Sequence, residues 1–252
     1  MVTNPRAFIE DVDFEPLVGS LEEGVEDGEP INLDQLPSGV VSGTTLIDFS
    51  NVPDLKVRAG VSLSMLFASR VATKATKVEE GEDEDDWLAT YTSTLGQLGF
   101  SLSGSAIVNS KFKKTGLRVH KAIVPFLTVA FGGAAVGPII LAGLKNLQEM
   151  NQDTPWISLF DSQSKRFSTR ELHFAAVSSS PTDTSIRYAI ARLNVALDET
   201  SVLFFKLTKA AAQFESVTTT MAANNSLLAA TEPALRERLG QMTTSFIKDA
   251  EI

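Results

Sequence analysis

The sequence predicts a single α+β domain in which an antiparallel sheet of about five to seven strands packs against helices. Three observations support this prediction. Helical periodicity of apolar residues dominates before residue 150, strand-like segments with short polar separators dominate after residue 154, and an uncharged apolar segment lies between them. The apolar fraction of 43% and the charged fraction of 21% are typical of a globular protein, and 252 residues can bury a substantial core.

Residues 1–43 are predicted to form an acidic extended arm, and residues 44–252 the single domain. Ten acidic residues lie in positions 1–34 against Arg6 as the one basic residue, so this segment accounts for the net charge of −9. Short apolar segments such as Phe8-Ile9 would anchor the arm on the folded domain. An acidic arm could also dock on a basic surface of a second copy, so self-association through residues 1–43 is one expectation.

The first half of the domain is predicted to contain one strand and two helices. Val40–Phe49 is predicted as a strand, and apolar residues recurring every three or four positions predict a helix over Leu55–Thr76. The acidic run Glu79–Asp86 lacks the spacing of a calcium loop, so we expect a solvated loop and no bound metal. The next helix carries an apolar stripe that begins at Trp87, and Gly99 is a natural stop for it.

An apolar segment, Ala122–Leu144, is predicted to form a central helical hairpin. It contains no charged residue and follows a predicted strand at Phe100–Val108, where Gly104 marks a bend. The glycine-rich residues after Phe131 predict a turn, and Pro138 fits the start of a second helix. The segment is thus divided into two helices of about 12 residues, or about 18 Å each. Because a bilayer core is about 30 Å thick, such a hairpin suits burial or shallow insertion better than spanning.

The last third of the chain is predicted to consist of strands and one closing helix. The predicted strands are Trp156–Phe160, Glu171–Ser178, Ile186–Leu197, Val202–Thr208 and Gln213–Met221. Their separators are short enough for hairpins. A helix from about Glu232 to Asp249, capped by Thr231 with Pro233 in its first turn, ends the chain.

No catalytic or metal-binding signature stands out in the sequence. Neither His120 nor His173 has a ligand-type residue at the spacing of zinc-binding helices. Glu171 and His173 would share one face of a strand, so a proton-transfer pair is an alternative to an ordinary structural role. The glycine-rich run at residues 132–137 matches neither a dinucleotide-binding loop nor a P-loop. We therefore expect a protein that is not an enzyme and that uses no cofactor.

The absence of cysteine excludes several classes of chemistry. The chain can form no disulfide, carry no thiolate nucleophile and accept no S-acyl group. The first residues, MVTNPRAF, lack the apolar core of a secretory signal. We therefore expect a cytoplasmic location in the producing cell, with delivery by a non-classical route as an alternative.

The order of segments resembles a little-characterised group of bacterial and fungal α/β proteins. The resemblance rests on Trp87-x3-Tyr91-x3-Leu95-x2-Leu98-Gly99-Phe100, on the apolar hairpin and strands that follow, and on a last helix containing residues 234–240. It covers about residues 40–250. More loosely, the chain is similar to the Erwinia virulence factor type, which implies a virulence-type α/β protein. The palmitoylated cysteine of that type has no counterpart in a chain without cysteine.

The predicted functional surface combines the apolar hairpin with a basic cluster beside it. Cations would meet lipid headgroups while apolar residues enter below them. The residues assigned to this lipid or membrane contact are Lys111, Lys113, Lys114, Arg118, Lys121, Phe126, Leu127, Phe131, Ile139, Ile140 and Leu141.

The predicted function is therefore that of a non-enzymatic, virulence-type or membrane-interacting protein. A self-assembling protein–protein interaction module with an acidic docking arm is the alternative. The basic cluster with Phe112 could touch phosphates. Nucleic acid is nevertheless not an expected partner, because the acidic arm would compete for the cluster and no recognised nucleic-acid-binding module accompanies it.

Overall fold

The computed structural model describes residues 4–14, 31–76, 84–106, 112–114, 119–131, 140, 142, 144, 154–164, 170–194, 212–240 and 242–250. These residues form an α+β fold around one eight-stranded sheet. The sheet is mostly antiparallel, so the predicted fold class is confirmed. The predicted strand Val202–Thr208 lies outside the described residues.

Helices and strands are interspersed along the chain. The helices are α1 (Pro5–Asp11), α2 (Leu55–Thr76), α3 (Glu84–Gln97), α4 (Val119–Ala130), α5 (Pro155–Ser164), α6 (Asn225–Leu239) and α7 (Met242–Phe246). The strands are β1 (Gly39–Ser42), β2 (Thr45–Asn51), β3 (Ser101–Ala106), β4 (Phe112–Lys114), β5 (Glu171–Ser179), β6 (Asp183–Asn194), β7 (Ala212–Asn224) and β8 (Ile247–Asp249). The strand order is β3-β7-β6-β5-β2-β1-β8, and β4 also pairs with β7. Strands β2 and β5 are parallel.

Helices cover both faces of the sheet. His173 of β5 contacts the ring of Trp87 in α3, whereas the next residue, Phe174, contacts Phe160 in α5. Because successive strand residues point to opposite faces, α3 and α5 lie on opposite sides of the sheet. Helix α2 packs against both α3 and α6, and we call these three helices the α3 layer.

Helix α4 lies on the same side of the sheet as α5. Arg187 of β6 pairs in register with Ala176 of β5, which shares the face of Phe174, and Arg187 donates a hydrogen bond to the carbonyl of Phe131 at the end of α4. We call α4, α5 and the helical residues 140, 142 and 144 the α4 layer.

Several predicted elements are confirmed by the structure. Helix α2 has the predicted bounds, and the apolar stripe of α3 that begins at Trp87 is buried through Tyr91, Leu95 and Leu98. Gly99 has a φ of +96°, a conformation that favours glycine and ends the helix. In β3 the register with β7 shifts between Leu102 and Ser105, which places a bulge at the predicted bend.

The prediction of one strand at Val40–Phe49 is wrong, because the segment is a hairpin of β1 and β2. Gly43 reverses the chain with a φ of +57°, and Ser42 pairs with Thr45 across the turn. A Cβ atom at Gly43 would lie 3.3 Å from the side chain of Ser69 in α2. The turn therefore needs glycine both for its backbone and for its closeness to α2.

The predicted strand at Trp156–Phe160 is also wrong, because this segment belongs to helix α5. The helix begins with Pro155, a residue favoured in the first turn. The side chains of Trp156, Ile157, Leu159 and Phe160 are all buried. A short run that is buried on more than one side has no clear period, so periodicity cannot separate a strand from a helix there.

The closing helix starts earlier and ends earlier than predicted. The side chain of Asn224 accepts hydrogen bonds from the backbone N–H groups of Ser226 and Leu227, so this residue, not Thr231, caps α6. Gly240, with a φ of +47°, ends it. Pro233 lies inside α6, and the residues beyond the glycine form α7 and the edge strand β8.

The described part of the acidic arm is helical at α1, where an extended chain was predicted. Asn4 caps this helix and Pro5 occupies its first turn, which explains the helical start. Ile9 and Phe14 are buried, and the Phe14 ring meets Phe67 of α2 edge-on at 5.2 Å. These apolar residues therefore belong to the core of the same chain.

Candidate functional site

The inner face of α4 packs against the body of the protein. Val119, Ile123 and Leu127 recur every fourth residue and are buried, as are Phe131, Ile140 and Leu144. Three residues predicted to touch lipid, namely Leu127, Phe131 and Ile140, thus lie inside the fold. A lipid contact through these three side chains requires that α4 and its partner segment leave the sheet.

Beyond Lys121 in its first turn, the outward face of α4 carries no charged residue. Val124, Pro125 and Thr128 are half-buried, and the Thr128 hydroxyl donates to the carbonyl of Val124 within the helix at 2.9 Å. A surface helix ordinarily places charged residues on its outward face. After Lys121, however, α4 has none. The helix is therefore more apolar than its burial requires.

Two side chains of the sheet hold the backbone at either end of the segment 131–140. Arg187 donates from its guanidinium to the Phe131 carbonyl at 2.7 Å. The carboxylate of Asp48 accepts from the backbone N–H of Ile140 at 3.3 Å and from that of Ser50 at 2.8 Å. Helix ends leave such backbone groups without partners, so both contacts stabilise the docked segment.

The basic cluster is described only in part. The backbones of Lys113 and Lys114 lie in β4, and Lys121 lies in the first turn of α4. Phe126 is also part of α4. Lys111, Arg118, Ile139 and Leu141 lie outside the described residues. The structure thus places two of the predicted lysines on a strand beside α4 in the chain, while their predicted lipid contact stays a prediction.

The two residues considered as a proton-transfer pair do meet. His173 Nε2 lies 2.8 Å from a carboxylate oxygen of Glu171, and the other oxygen of that carboxylate accepts from Arg192 Nε at 2.6 Å. His173 Nδ1 lies 2.7 Å from the Tyr188 hydroxyl and 3.2 Å from Thr44 Oγ1. With the ring proton on Nε2 donated to Glu171, Nδ1 accepts from Tyr188.

Stacked aromatic rings extend this network into α3. Trp87 stacks on Tyr91 at 5.0 Å between ring centroids, and Tyr91 stacks on Tyr188 at 5.6 Å. Burial raises the pKa of both tyrosine hydroxyls well above the ordinary value, and the neighbouring Thr45 hydroxyl lowers each only in part. Both tyrosine hydroxyls are therefore neutral over the physiological range of pH.

This network joins β5, β6 and α3 and is closed to solvent. His173 is 0% exposed, and Glu171 and Tyr188 are each 1% exposed. A substrate could not reach the His173 ring without opening the α3 layer. The arrangement is thus suited to fixing α3 on the sheet, with a buried carboxylate satisfied by two donors.

Sequence reasoning found Glu171 and His173 but missed Arg192 and Tyr188. Arg192 pairs directly with Glu171 across β5 and β6, and Tyr188 lies two positions along β6 from the partner of His173. The alternation of β6 places Tyr188 and Arg192 on one face. Only the register of the strand pair could have shown that this face meets Glu171.

A separate cleft of about 800 Å³ opens on the outer side of the α3 layer. Phe8 of α1 and Val71 of α2 provide apolar walls, and Thr90, Ser93 and Thr94 of α3 provide hydroxyl groups. None of the residues of the buried network lines the cleft. The two features are thus separated by the width of α3.

No metal or membrane-spanning feature occurs among the described residues. Within these ranges, no group of three histidine, aspartate or glutamate side chains is placed to hold a metal ion. Of the helices the structure describes, none combines the length and the apolar character needed to cross a bilayer. Most of the acidic run Glu79–Asp86 lies outside the described residues; Asp86 is exposed in the first turn of α3.

Comparisons with known proteins give little guidance. No protein-family model matches the chain, and no curated protein matches it. Among solved structures, one described as a delta-endotoxin aligns over 79% of this chain and 88% of its own, with 9% sequence identity and a TM-score of 0.36. At that score the alignment supports no conclusion about fold or function.

Proposed function

We propose that the protein is a non-enzymatic, membrane-interacting protein that meets a lipid surface through α4 and the basic cluster at residues 111–121. The observation that supports this proposal is the outward face of α4, which carries no charged residue beyond Lys121 in the first turn. Val124 and Pro125 lie there half-buried on a helix with no charged residue after Lys121. Moving exposed apolar surface from water into lipid gains about 25 cal/mol per Å².

The proposed contact has two depths. In the shallow form, the outward face of α4 enters the headgroup region while the fold stays intact. In the deep form, α4 leaves the sheet and its inner stripe, including Leu127, also contacts acyl chains. A helix of about 18 Å lies along the interface and does not cross the core of about 30 Å, so neither form is a membrane span.

Flotation with liposomes tests the proposal. The folded protein is mixed with vesicles of phosphatidylcholine, alone or with phosphatidylglycerol, at pH 7 and pH 5 and is centrifuged through a density gradient. We expect the wild type to float with vesicles and Val124→Lys to lose most of the floating fraction. Leu55→Lys is the matched control, because Leu55 is 38% exposed at the start of α2 in the other layer.

Two outcomes would contradict the proposal. One is a folded wild type that floats with neither vesicle at either pH. The other is a Val124→Lys protein that floats as well as Leu55→Lys does. Circular dichroism spectra and melting temperatures of both variants show whether either substitution has unfolded the protein.

A second candidate function is self-association, and one observation favours it. Leu102 is 51% exposed on β3, an uncharged strand at the end of the described strand order. Exposed apolar positions on edge strands invite pairing with another chain. Light scattering over a range of concentrations should then show an oligomer that Leu102→Lys weakens. A monomer at every concentration would argue against this candidate.

The acidic arm is a weaker candidate for that self-association. Ile9 and Phe14 are buried within the same chain, and Arg238 donates to the Val12 carbonyl at 3.0 Å. Deleting residues 1–34 would therefore remove part of the core together with the charge. A charge-neutralising variant of exposed arm residues tests the docking role more cleanly than the deletion does.

A further inference from the structure

The two ends of the segment 131–140 are held by side chains in different environments. Asp48, which accepts from Ile140, is 1% exposed inside the fold. Arg187, which donates to the Phe131 carbonyl, is exposed to solvent. One contact is thus sealed in the core, while the other can exchange its partner at the surface.

Arg187 has donor capacity to spare. A guanidinium presents five N–H donors, and among the described residues the bond to Phe131 is the one polar contact found for this side chain. Its register partners on the neighbouring strands, Ala176 and Thr220, carry no charge. No acidic partner from these strands competes for the guanidinium, so an external anion can bind it.

We infer that Arg187 binds the anionic headgroup of a lipid and that this binding releases the end of α4 from the sheet. The inference rests on the proposed function and deepens it. The fork of a guanidinium matches the paired oxygens of a phosphate, and a charge-assisted hydrogen bond is stronger than one to a neutral carbonyl. A phosphate oxygen can therefore replace the Phe131 carbonyl as the acceptor.

The position of the second anchor determines which helix moves. Asp48 retains the backbone of Ile140 because its carboxylate is buried away from headgroups. Release at Phe131 therefore leaves α4 held by its apolar stripe, whose contacts lipid can replace, while the helical residues after Ile140 stay on the sheet. The headgroup contact and the insertion of α4 become one coupled event, and anionic lipid is the trigger.

Vesicle flotation of charge variants tests the lipid preference. The comparison uses wild type, Arg187→Gln and the matched control Lys56→Gln, which removes an exposed cation from the α3 layer. We expect the wild type to prefer phosphatidylglycerol-containing vesicles over pure phosphatidylcholine. Arg187→Gln should lose about fivefold of that preference, the effect of one cation at an anionic surface, and Lys56→Gln should resemble the wild type.

Fluorescent labelling tests the order of release. Because the chain has no cysteine, Val124→Cys in α4 and Ala142→Cys after the second anchor each accept one environment-sensitive dye. With anionic vesicles we expect a blue shift and increased emission for the dye at position 124 and little change at position 142. Adding Arg187→Gln to the Val124→Cys protein should reduce the response to anionic vesicles.

The outcomes separate this inference from the proposed function. If the wild type binds no vesicle, both are overturned. If it binds but Arg187→Gln keeps the full preference for anionic lipid, the headgroup role of Arg187 is overturned and membrane binding stands. Equal dye responses at positions 124 and 142 would overturn the order of release alone. If inorganic phosphate at low millimolar concentration abolishes the anionic preference, Arg187 recognises free phosphate and not a membrane headgroup.

Discussion

The two faces of the sheet are covered by helical layers that are held in chemically different ways. On the side of the α3 layer, the carboxylate of Glu171 and the ring of His173 on β5 meet stacked aromatic rings of α3 in one buried network, in which His173 is 0% exposed. In the α4 layer, the contacts described for α4 and Ile140 are an apolar stripe and two hydrogen bonds to backbone groups, from Arg187 and to Asp48.

This difference determines which layer can leave the sheet. Removing one member of a buried ion pair costs about 3–5 kcal/mol because the remaining charge stays in the core. Losing a hydrogen bond at a helix end costs about 0.5–2 kcal/mol. The ion pair of Glu171 with Arg192 joins β5 to β6, and α3 covers it through the rings of Trp87 and Tyr91. Helix α4, in contrast, is held by apolar contacts that lipid can replace.

The largest expected effect is the loss of the Glu171 carboxylate, which lies on β5 beneath the α3 layer. Glu171→Ala should reduce the free energy of unfolding by about 3–5 kcal/mol, because Arg192 and His173 would lose their shared partner. Urea denaturation measures this change. Glu10→Ala is the control, since Glu10 pairs with Arg6 at the surface and its loss should cost at most about 0.5 kcal/mol. Equal effects of the two substitutions would contradict the role given to the network.

The second effect concerns the apolar stripe of the α4 layer. Leu127→Ala should cost about 2–5 kcal/mol, because the deleted atoms leave a cavity beside the sheet. Val124→Ala removes a half-buried side chain one turn away and should cost less than about 1 kcal/mol. If denaturation gives similar values for both, the inner and outer faces of α4 are not distinguished in solution as they are in the structure.

The third effect should appear at alkaline pH and only in the α3 layer. Of the chain's two tyrosines, Tyr91 lies in α3 and Tyr188 stacks on it from β6, and burial raises the pKa of both above the unfolded value of about 10. A raised folded-state pKa contributes stability that is present below pH 10 and lost as the pH rises above it. The free energy of unfolding should then fall by up to about 1.4 kcal/mol per pH unit for each tyrosine.

Tyr91→Phe should make that alkaline loss shallower, since it removes one of the two titrating groups. Urea denaturation at several pH values, with phenolate absorbance recorded in parallel, measures both quantities. If tyrosine ionises near pH 10 in the folded protein with no loss of stability, the rings are not sealed as the structure describes.

The smallest expected effects compare one helix-end contact in each layer. Asn224→Ala removes the cap of α6 and should cost about 1 kcal/mol. Arg187→Gln removes the exposed contact to Phe131 and should cost at most about 0.5 kcal/mol, because water can replace the donor. Shifts in melting temperature rank the two variants. A larger cost for Arg187→Gln would mean that the end of α4 is held more firmly than its exposure indicates.

Sequence periodicity predicted α2 and α3 well, misplaced both ends of the closing helix α6, and failed at short apolar runs. In α2, apolar residues recur with a helical period over 22 residues, and a run of that length is distinctive. Trp156–Phe160 is too short for its period to be read, and its burial in helix α5 came from tertiary packing. The turn at Gly43 was missed for a related reason, since a glycine between two segments rich in β-branched residues fits both a continuous strand and a hairpin.

Some residues of the candidate site could be predicted from the sequence, but their contacts could not. The uncharged segment was evident from its composition, and Glu171 and His173 were placed on one face by strand alternation. Their partners Arg192 and Tyr188 follow from the register of β6 on β5, which depends on contacts between distant parts of the chain.

By itself, the sequence determined the α+β class, the stripe of α3, the acidic start and the apolar segment that α4 begins. These features depend on composition and on periods within one element, which local physics sets. Only the tertiary structure decided that Leu127 and Ile140 are buried while Val124 is half-exposed, and that Arg187 reaches Phe131. Such contacts depend on how the sheet orders its strands and on which face each helix covers, and residues far apart in sequence fix both.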